Sequence, residues 1–120
     1  MKFEISHKEK VAIITSKIEK LDALHAPELK GEIVLLNKDN HKNLIIDLSE
    51  TRYIDSSGLS ALLVANRLCR DLQGSFVLCG LQDNVKKLIS ISQLESVLKI
   101  TPTLNEAIDL VYMEDVERDI

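Results

Sequence analysis

The chain of 120 residues contains no tryptophan, and aromatic residues make up only 3% of it. Proteins that bind single-stranded nucleic acids stack bases on aromatic side chains, so this class of function is disfavoured. Fifteen Lys and Arg residues stand against nineteen Asp and Glu residues, which gives a formal net charge of −4. The cationic surplus that neutralises phosphates is therefore missing, and we expect no nucleic-acid partner.

Long apolar runs are also missing. No stretch reaches the roughly 18 apolar residues that a membrane-spanning helix needs. The first six residues mix charged and apolar side chains and show no signal-peptide pattern. The two cysteines, Cys69 and Cys79, lack CxxC spacing and lie in apolar segments, where a buried thiol is typical. We therefore expect a cytoplasmic protein without a membrane partner.

Motifs of catalytic, metal and cofactor sites are absent as well. His7, His25 and His41 lack the HxxxH spacing of a metal site and have no cysteine nearby. Neither GxGxxG nor GxxxxGK[ST] occurs, so no phosphate-binding loop is recognisable. Ile54 stands two positions before Ser56, where a hydrolase nucleophile elbow has glycine. The sequence predicts a protein that is not an enzyme and needs neither cofactor nor metal.

The hydrophobic pattern is that of one α/β domain. Apolar residues make up 45% of the chain and charged residues 28%, as in ordinary globular proteins. Short β-branched or apolar runs predict strands at 3–6, 11–15, 44–48, 76–79 and 97–100. Helical spacing predicts helices at 24–38, at 83–92 and at 103–113, and a further helix that follows residues 55–58 and ends at about residue 73. We therefore predict a mixed sheet of about five strands with four helices over residues 1–113.

Three details extend this prediction. The run 44–48 (Leu-Ile-Ile-Asp-Leu) is nearly continuous in apolar residues, as expected for a central strand that is covered on both faces. Gly74 is expected to end the second helix. Residues 114–120 are predicted to form an acidic C-terminal tail, a solvated helix end or frayed terminus.

One segment offers a candidate site, since residues 54–59 read Ile-Asp-Ser-Ser-Gly-Leu between a predicted strand and a predicted helix. Asp and Ser are preferred helix N-caps, which gives the segment a purely structural interpretation. Alternatively, the hydroxyl of Ser56 is exposed at the helix start, where a kinase could reach it. A phosphate there would add about −1.5 to −2 of charge beside Asp55. Both interpretations stay open at this point.

The segment Asp-Ser-Ser-Gly-Leu at 55–59 resembles the signature of anti-sigma factor antagonists with the STAS fold. Residues 20–22 (Lys-Leu-Asp), 84–88 (Asn-Val-Lys-Lys-Leu) and 104–108 (Leu-Asn-Glu-Ala-Ile) also resemble segments of this family, so the similarity spans residues 2–112. Two positions depart from it, because Glu19 and Ser60 stand where the family often has glycine. Glu19 is expected to alter the turn that presents Asp22.

The resemblance implies a partner switch. The unphosphorylated form would bind an anti-sigma factor that is also a serine kinase and so free a sigma factor. The kinase would then phosphorylate Ser56 and be released, and a serine phosphatase would restore the binding form. Besides Ser56, the expected contact residues are Asp22, Asp55, Ser57, Gly58, Leu59, Leu63 and Arg67.

Two questions stay open. Ser60, Leu63, Arg67 and Arg70 share a helix face, on which Leu63 is either an apolar anchor for the partner or a core residue. The alternative function is a STAS docking module for another target, such as a transporter accessory subunit or a signalling complex.

Overall fold

In the computed structural model, which describes residues 2–119, seven strands and four helices follow one another along the chain. The strands are β1 (Phe3–Lys8), β2 (Val11–Ser16), β3 (Lys20–Leu21), β4 (Leu44–Asp47), β5 (Tyr53–Ile54), β6 (Phe76–Cys79) and β7 (Lys99–Thr101). The helices are α1 (Ala26–Lys38), α2 (Ser56–Asp71), α3 (Asp83–Ile91) and α4 (Leu104–Arg118).

Five of these strands form the main sheet, in the order β1-β2-β4-β6-β7. The β1–β2 hairpin is antiparallel, and the other neighbours are parallel. The predicted α/β class, with a mixed five-stranded sheet and four helices, is confirmed. No helix among residues 2–119 is both long and apolar enough to cross a membrane.

The sheet is covered on both faces, with β4 at its centre. Leu44 and Ile46 pack with α1, α2 and α3, while Ile45 packs with Ala107 and Val111 of α4. Successive side chains of a strand point to opposite faces, so a strand between two layers is apolar on both of them. Leu44, Ile45 and Ile46 follow this pattern, and Asp47 at the end of β4 is only half-buried. The prediction of a central strand in the run 44–48 is therefore confirmed.

The end of α2 differs in detail from the prediction. Gln73, with φ of 61°, takes the left-handed position, and the Gly74 N–H donates to the Cys69 carbonyl at 2.8 Å. Together with the bond from Gln73 N to the Arg70 carbonyl, this is a Schellman motif. Gly74 is needed for another reason, because a Cβ there would lie 1.8 Å from the Lys42 carbonyl oxygen.

Helix α4 is longer than predicted. The prediction placed its end near Met113, but the described part of the segment 114–120 continues the helix to Arg118, and the last residue lies outside the described range. Asp115 is only 7% exposed, and its carboxylate accepts a hydrogen bond from Lys10 Nζ at 3.2 Å. This bond holds the pKa of the Asp115 carboxyl below its usual range. The predicted helix end is wrong because the acidic residues pair with lysines brought close by the fold.

Two further boundaries are shifted. Helix α1 begins at Ala26 rather than at residue 24, since the preceding residues form a turn in which His25 and Ala26 donate to the Asp22 carbonyl. Strand β7 covers Lys99–Thr101 rather than 97–100, because Val97 and Leu98 both donate to the Leu94 carbonyl in a turn.

Candidate functional site

A small second sheet, formed by β3 and β5, lies beside the start of α2. Its two strands are parallel, with Lys20 paired to Tyr53 and Leu21 paired to Ile54. Just past the strands, the Asp55 N–H donates to the Leu21 carbonyl at 3.3 Å. The sheet therefore places the loop that follows β3 next to the N-terminus of α2.

Gly58 allows this close approach. It is buried in the first turn of α2, and a Cβ at this position would lie 2.3 Å from the Leu21 carbonyl oxygen and 2.7 Å from Ile54 Cγ1. No side chain fits at such distances without movement of the β3 backbone. The glycine thus lets the helix pack directly against β3.

The cap of α2 is Asp55, not Ser56. Asp55 has extended backbone angles, and its Oδ1 accepts a hydrogen bond from the Gly58 N–H at 3.0 Å. Ser56 is the first helical residue and is exposed, whereas Ser57 is partly buried. Since Asp55 does the capping, the structural interpretation of this segment does not require the exposed Ser56 side chain.

Asp22, just after β3, is held by its own loop. Its Oδ1 accepts hydrogen bonds from the N–H groups of Leu24 at 3.1 Å and His25 at 3.3 Å. The His25 Nδ1 lies 2.8 Å from the same oxygen, and since a carboxylate only accepts, the imidazole donates. This side-chain bond is the main reason why the pKa of the Asp22 carboxyl lies below its usual range. Asp22 therefore carries a fixed negative charge at neutral pH.

His25 was missed as a site residue. Its only sequence signal is the i, i+3 spacing from Asp22, and the sequence predicts no role for His25. The spacing alone does not reveal that both residues lie in one turn before α1.

The other predicted contact residues are spread out. Leu59 is 7% exposed and belongs to the core, so it and Gly58 shape the loop rather than offer side chains at the surface. Leu63 is partly buried and packs against the same core. Arg67 is exposed, but eleven residues of helix place it about 16 Å along the axis from Ser56. The structure thus brings together Asp22, Asp55, Ser56 and Ser57.

Glu19 lies in the turn before Asp22 and does not have a positive φ. Among residues 2–119, the non-glycine residues with positive φ are Asn40, Gln73 and Gln93, so Glu19 keeps ordinary backbone angles. Its carbonyl accepts hydrogen bonds from the N–H groups of Arg52 at 2.8 Å and Tyr53 at 3.1 Å. Pairing with β5 therefore holds this backbone without a glycine, and an altered turn relative to the family stays a prediction.

Two features of catalytic sites, a metal-binding cluster and a reactive thiol, are not found among residues 2–119. No group of three or more His, Cys, Asp or Glu residues in positions 2–119 could hold a metal ion. Burial raises the pKa of the Cys69 thiol to about 12, and burial together with the charge of Asp47 raises that of Cys79 to about 12. Neither thiol is a reactive nucleophile at neutral pH.

Residues 2–107 match the family model described as the STAS domain. The chain belongs to the STAS domain family. An anti-sigma-B factor antagonist of Listeria monocytogenes is 34% identical over 80 residues, which are 67% of this chain and 70% of that protein. The resemblance seen in the motifs is therefore confirmed.

Solved structures of anti-sigma factor antagonists have a similar fold. An anti-sigma factor antagonist from Mycobacterium paratuberculosis matches with a TM-score of 0.83 at 23% identity over 92% of each chain. SpoIIAA in its unphosphorylated form matches with a TM-score of 0.73 at 19% identity, over 92% of this chain and 97% of that one. The phosphorylated form of Bacillus SpoIIAA matches with a TM-score of 0.71 at 21% identity, over 91% and 98%.

Proposed function

We propose that this chain is an anti-sigma factor antagonist controlled by phosphorylation of Ser56. In its unphosphorylated form it binds an anti-sigma factor with serine kinase activity in the cytoplasm and so frees a sigma factor. The observation that carries the proposal is the exposed Ser56 hydroxyl at the start of α2, beside a helix cap that Asp55 already fills. The names of the Listeria relative and of the solved STAS structures support the same role.

In the phosphorylation step the chain acts as a substrate. Ser56 Oγ attacks the γ-phosphorus of ATP held by the kinase, and an Oγ–P bond forms. The bond between the γ-phosphorus and the β,γ-bridging oxygen breaks, ADP leaves with that electron pair, and the hydroxyl proton passes to a base of the kinase. In the reverse switch a serine phosphatase adds water to the phosphorus, which releases inorganic phosphate and restores the hydroxyl.

The phosphate should leave the fold intact. It would add about −1.5 to −2 of charge at the first residue of α2. The free N–H groups and dipole of the helix start attract this charge, whereas the Asp55 carboxylate repels it. Because these effects oppose each other at an exposed position, the net change in stability is small.

The partner interface is affected more strongly. A complementary surface that closes over the free Ser56 hydroxyl would have to accommodate the volume of the phosphate and strip its water. Desolvation of a charged group without a matching partner is costly, so the complex dissociates. Phosphorylation thus acts as a release signal.

Intact-mass and fragment analysis of the chain from its own cells, with phosphatase inhibitors and under several growth conditions, tests the proposal. We expect a single phosphate on Ser56 whose amount varies with condition. Ser56→Ala should remove it, and the matched variant Ser57→Ala should retain it. A phosphate on Ser57 would contradict the site. No phosphate in any condition, with the partner still bound, would favour the unphosphorylated docking module.

A further inference from the structure

Strand β1 is an open edge of the main sheet. Among residues 2–119 this six-residue strand pairs with β2 alone. The Lys17 N–H donates to the Lys2 carbonyl at 2.8 Å, and bonded pairs alternate along an antiparallel ladder. The even-numbered residues of β1 therefore bond to β2, whereas the N–H and C=O groups of Phe3, Ile5 and His7 point out to the open edge. Such a row of unpaired backbone groups can accept another strand.

Helix α1 presents an apolar side chain beside this edge. A Glu28 carboxylate oxygen lies 3.9 Å from Lys2 Nζ at the start of β1, whereas Asn37 bonds to the Leu68 carbonyl of α2. One side of α1 thus borders β1, and another borders α2. Leu35 follows Glu28 by seven residues, about two turns of helix, so it lies on the side that borders β1. It is 59% exposed, and a second layer beside β1 would cover it.

The charges on β1 match those of a second copy of β1. When two copies run antiparallel with their Ser6 residues opposite each other, Glu4 of each chain lies opposite Lys8 of the other. Both residues bond to β2 in their own chain, so they form a pair without shared backbone bonds, in which side chains are closest. Both side chains are exposed. Glu4 has a distant partner in Lys17 at 3.8 Å, which lies closer to Glu50 at 2.8 Å.

Other registers of the same two strands are less favourable. The outward backbone groups can pair only when the strands slide in steps of two residues. A register centred on Ile5 places Lys2 opposite Lys8, and one centred on Glu4 places this carboxylate opposite its own copy. Like charges at opposed positions are destabilising. A register centred on His7 leaves only three residues of each strand paired. The charges therefore select the register centred on residue 6.

The basic groups at the ends of the paired segment are already neutralised. In this register Lys2 of one copy approaches Lys10 of the other. Lys2 faces Glu28 of its own chain at 3.9 Å, and Lys10 faces Asp115 of its own chain at 3.2 Å. His7 lies opposite an apolar side chain. No cation is thus left facing an uncompensated cation.

The acidic groups are kept apart by the two-fold symmetry. Glu9, in the hairpin turn, lies opposite the apolar Phe3 of the other copy. Glu28 and Glu32 lie in the first half of α1, and the two copies of α1 run antiparallel on the same face of the joined sheet. These carboxylates therefore face the second half of the other helix, which ends at Lys38. A second copy of the chain is the complementary partner for this edge.

We propose that this chain forms a dimer through β1, in which two main sheets join edge to edge as one ten-stranded sheet. The strands pair antiparallel about Ser6, and Leu35 of each α1 packs over the junction. Such an interface is isologous and closed, so it gives dimers rather than fibres. Two short strands and two leucines make a small interface, for which a Kd on the order of 10–100 µM is expected. The dimer is independent of the role of Ser56, because α2 borders the other side of α1.

Charge reversal at the opposed positions tests the dimer. Sedimentation of the full chain over a range of concentrations gives the Kd of self-association. Glu4→Lys and Lys8→Glu should each raise this Kd about tenfold or more, because each places like charges opposite each other twice. An equimolar mixture of the two variants should associate as tightly as the unchanged chain, since every opposed pair then has opposite charges. Glu117→Lys is the matched control, because Glu117 is an exposed acidic residue of α4.

A second pair of variants tests the apolar part of the interface. Leu35→Ala is expected to raise the Kd about fivefold. Its matched control is Met113→Ala, since Met113 is 61% exposed on α4 and should not matter. Melting curves confirm that each variant is folded. A chain that stays monomeric at about 1 mM, a dimer that survives both charge reversals, or a mixture of the two reversed variants that stays monomeric would each overturn the proposal.

Discussion

Ser56→Asp is expected to weaken binding of the kinase about 100-fold, whereas Ser56→Ala should bind as tightly as the unchanged chain. The added carboxylate lies beside Asp55 in an interface shaped for a neutral hydroxyl, so it must lose water without gaining a partner. Removal of the exposed hydroxyl leaves no buried group unpaired. Calorimetry with the purified kinase in the absence of ATP measures both values.

The same two variants show whether a negative charge at Ser56 acts by releasing the kinase or by unfolding the chain. Circular dichroism and melting should barely differ between them, because an acidic residue at the first position of α2 is favoured by the helix dipole and disfavoured by Asp55. Equal binding by Ser56→Asp and Ser56→Ala would disprove the release mechanism. A large loss of structure in Ser56→Asp would show that the charge acts on the fold instead.

Gly58→Ala is expected to lower the free energy of unfolding by about 1–3 kcal/mol, because its Cβ overlaps the Leu21 backbone. Relief of this overlap moves β3 away from α2 and displaces Asp22 relative to Ser56. Kinase binding should therefore weaken even under conditions in which the variant is fully folded. Urea unfolding and the Kd for the kinase measure the two effects.

Gly31 provides the matched control for this substitution. It lies within α1, and a Cβ there would meet no heavy atom within 4 Å. Gly31→Ala is expected to raise the free energy of unfolding by about 0.5–1 kcal/mol, because alanine loses less backbone entropy in a helix. Equal stability of Gly58→Ala and Gly31→Ala would show that Gly58 does not hold the site together.

The sequence predicted the main elements because their patterns are long or continuous. The central strand is apolar on both faces, and the helices show clear spacing of buried residues. Strands β3 and β5 were missed because two residues show no periodicity, and they form through contacts such as that between Glu19 and Arg52, 33 positions apart. The end of α4 was missed because the pairing of Asp115 with Lys10 depends on the folded sheet.

The candidate site was predicted in part. The motif placed Ser56 and Asp55 at the start of α2, and the structure brings Asp22 beside them through the β3–β5 sheet. Tyr53 lies outside every predicted strand and helix, and its exposure depends on which face of the short strand β5 it occupies. Roles for the predicted contact Arg67 and for the core residue Leu59 remain predictions about the partner surface.

The central claim is that phosphorylation of Ser56 separates the chain from the kinase. The most direct test is to add ATP to the complex and measure whether the two proteins dissociate. The complex of unphosphorylated chain and kinase is immobilised through the kinase, ATP is added, and bound chain and phosphate on Ser56 are followed together. The account predicts that the chain dissociates as Ser56 becomes phosphorylated, while Ser56→Ala stays bound. Full phosphorylation of Ser56 with the complex still intact would contradict it.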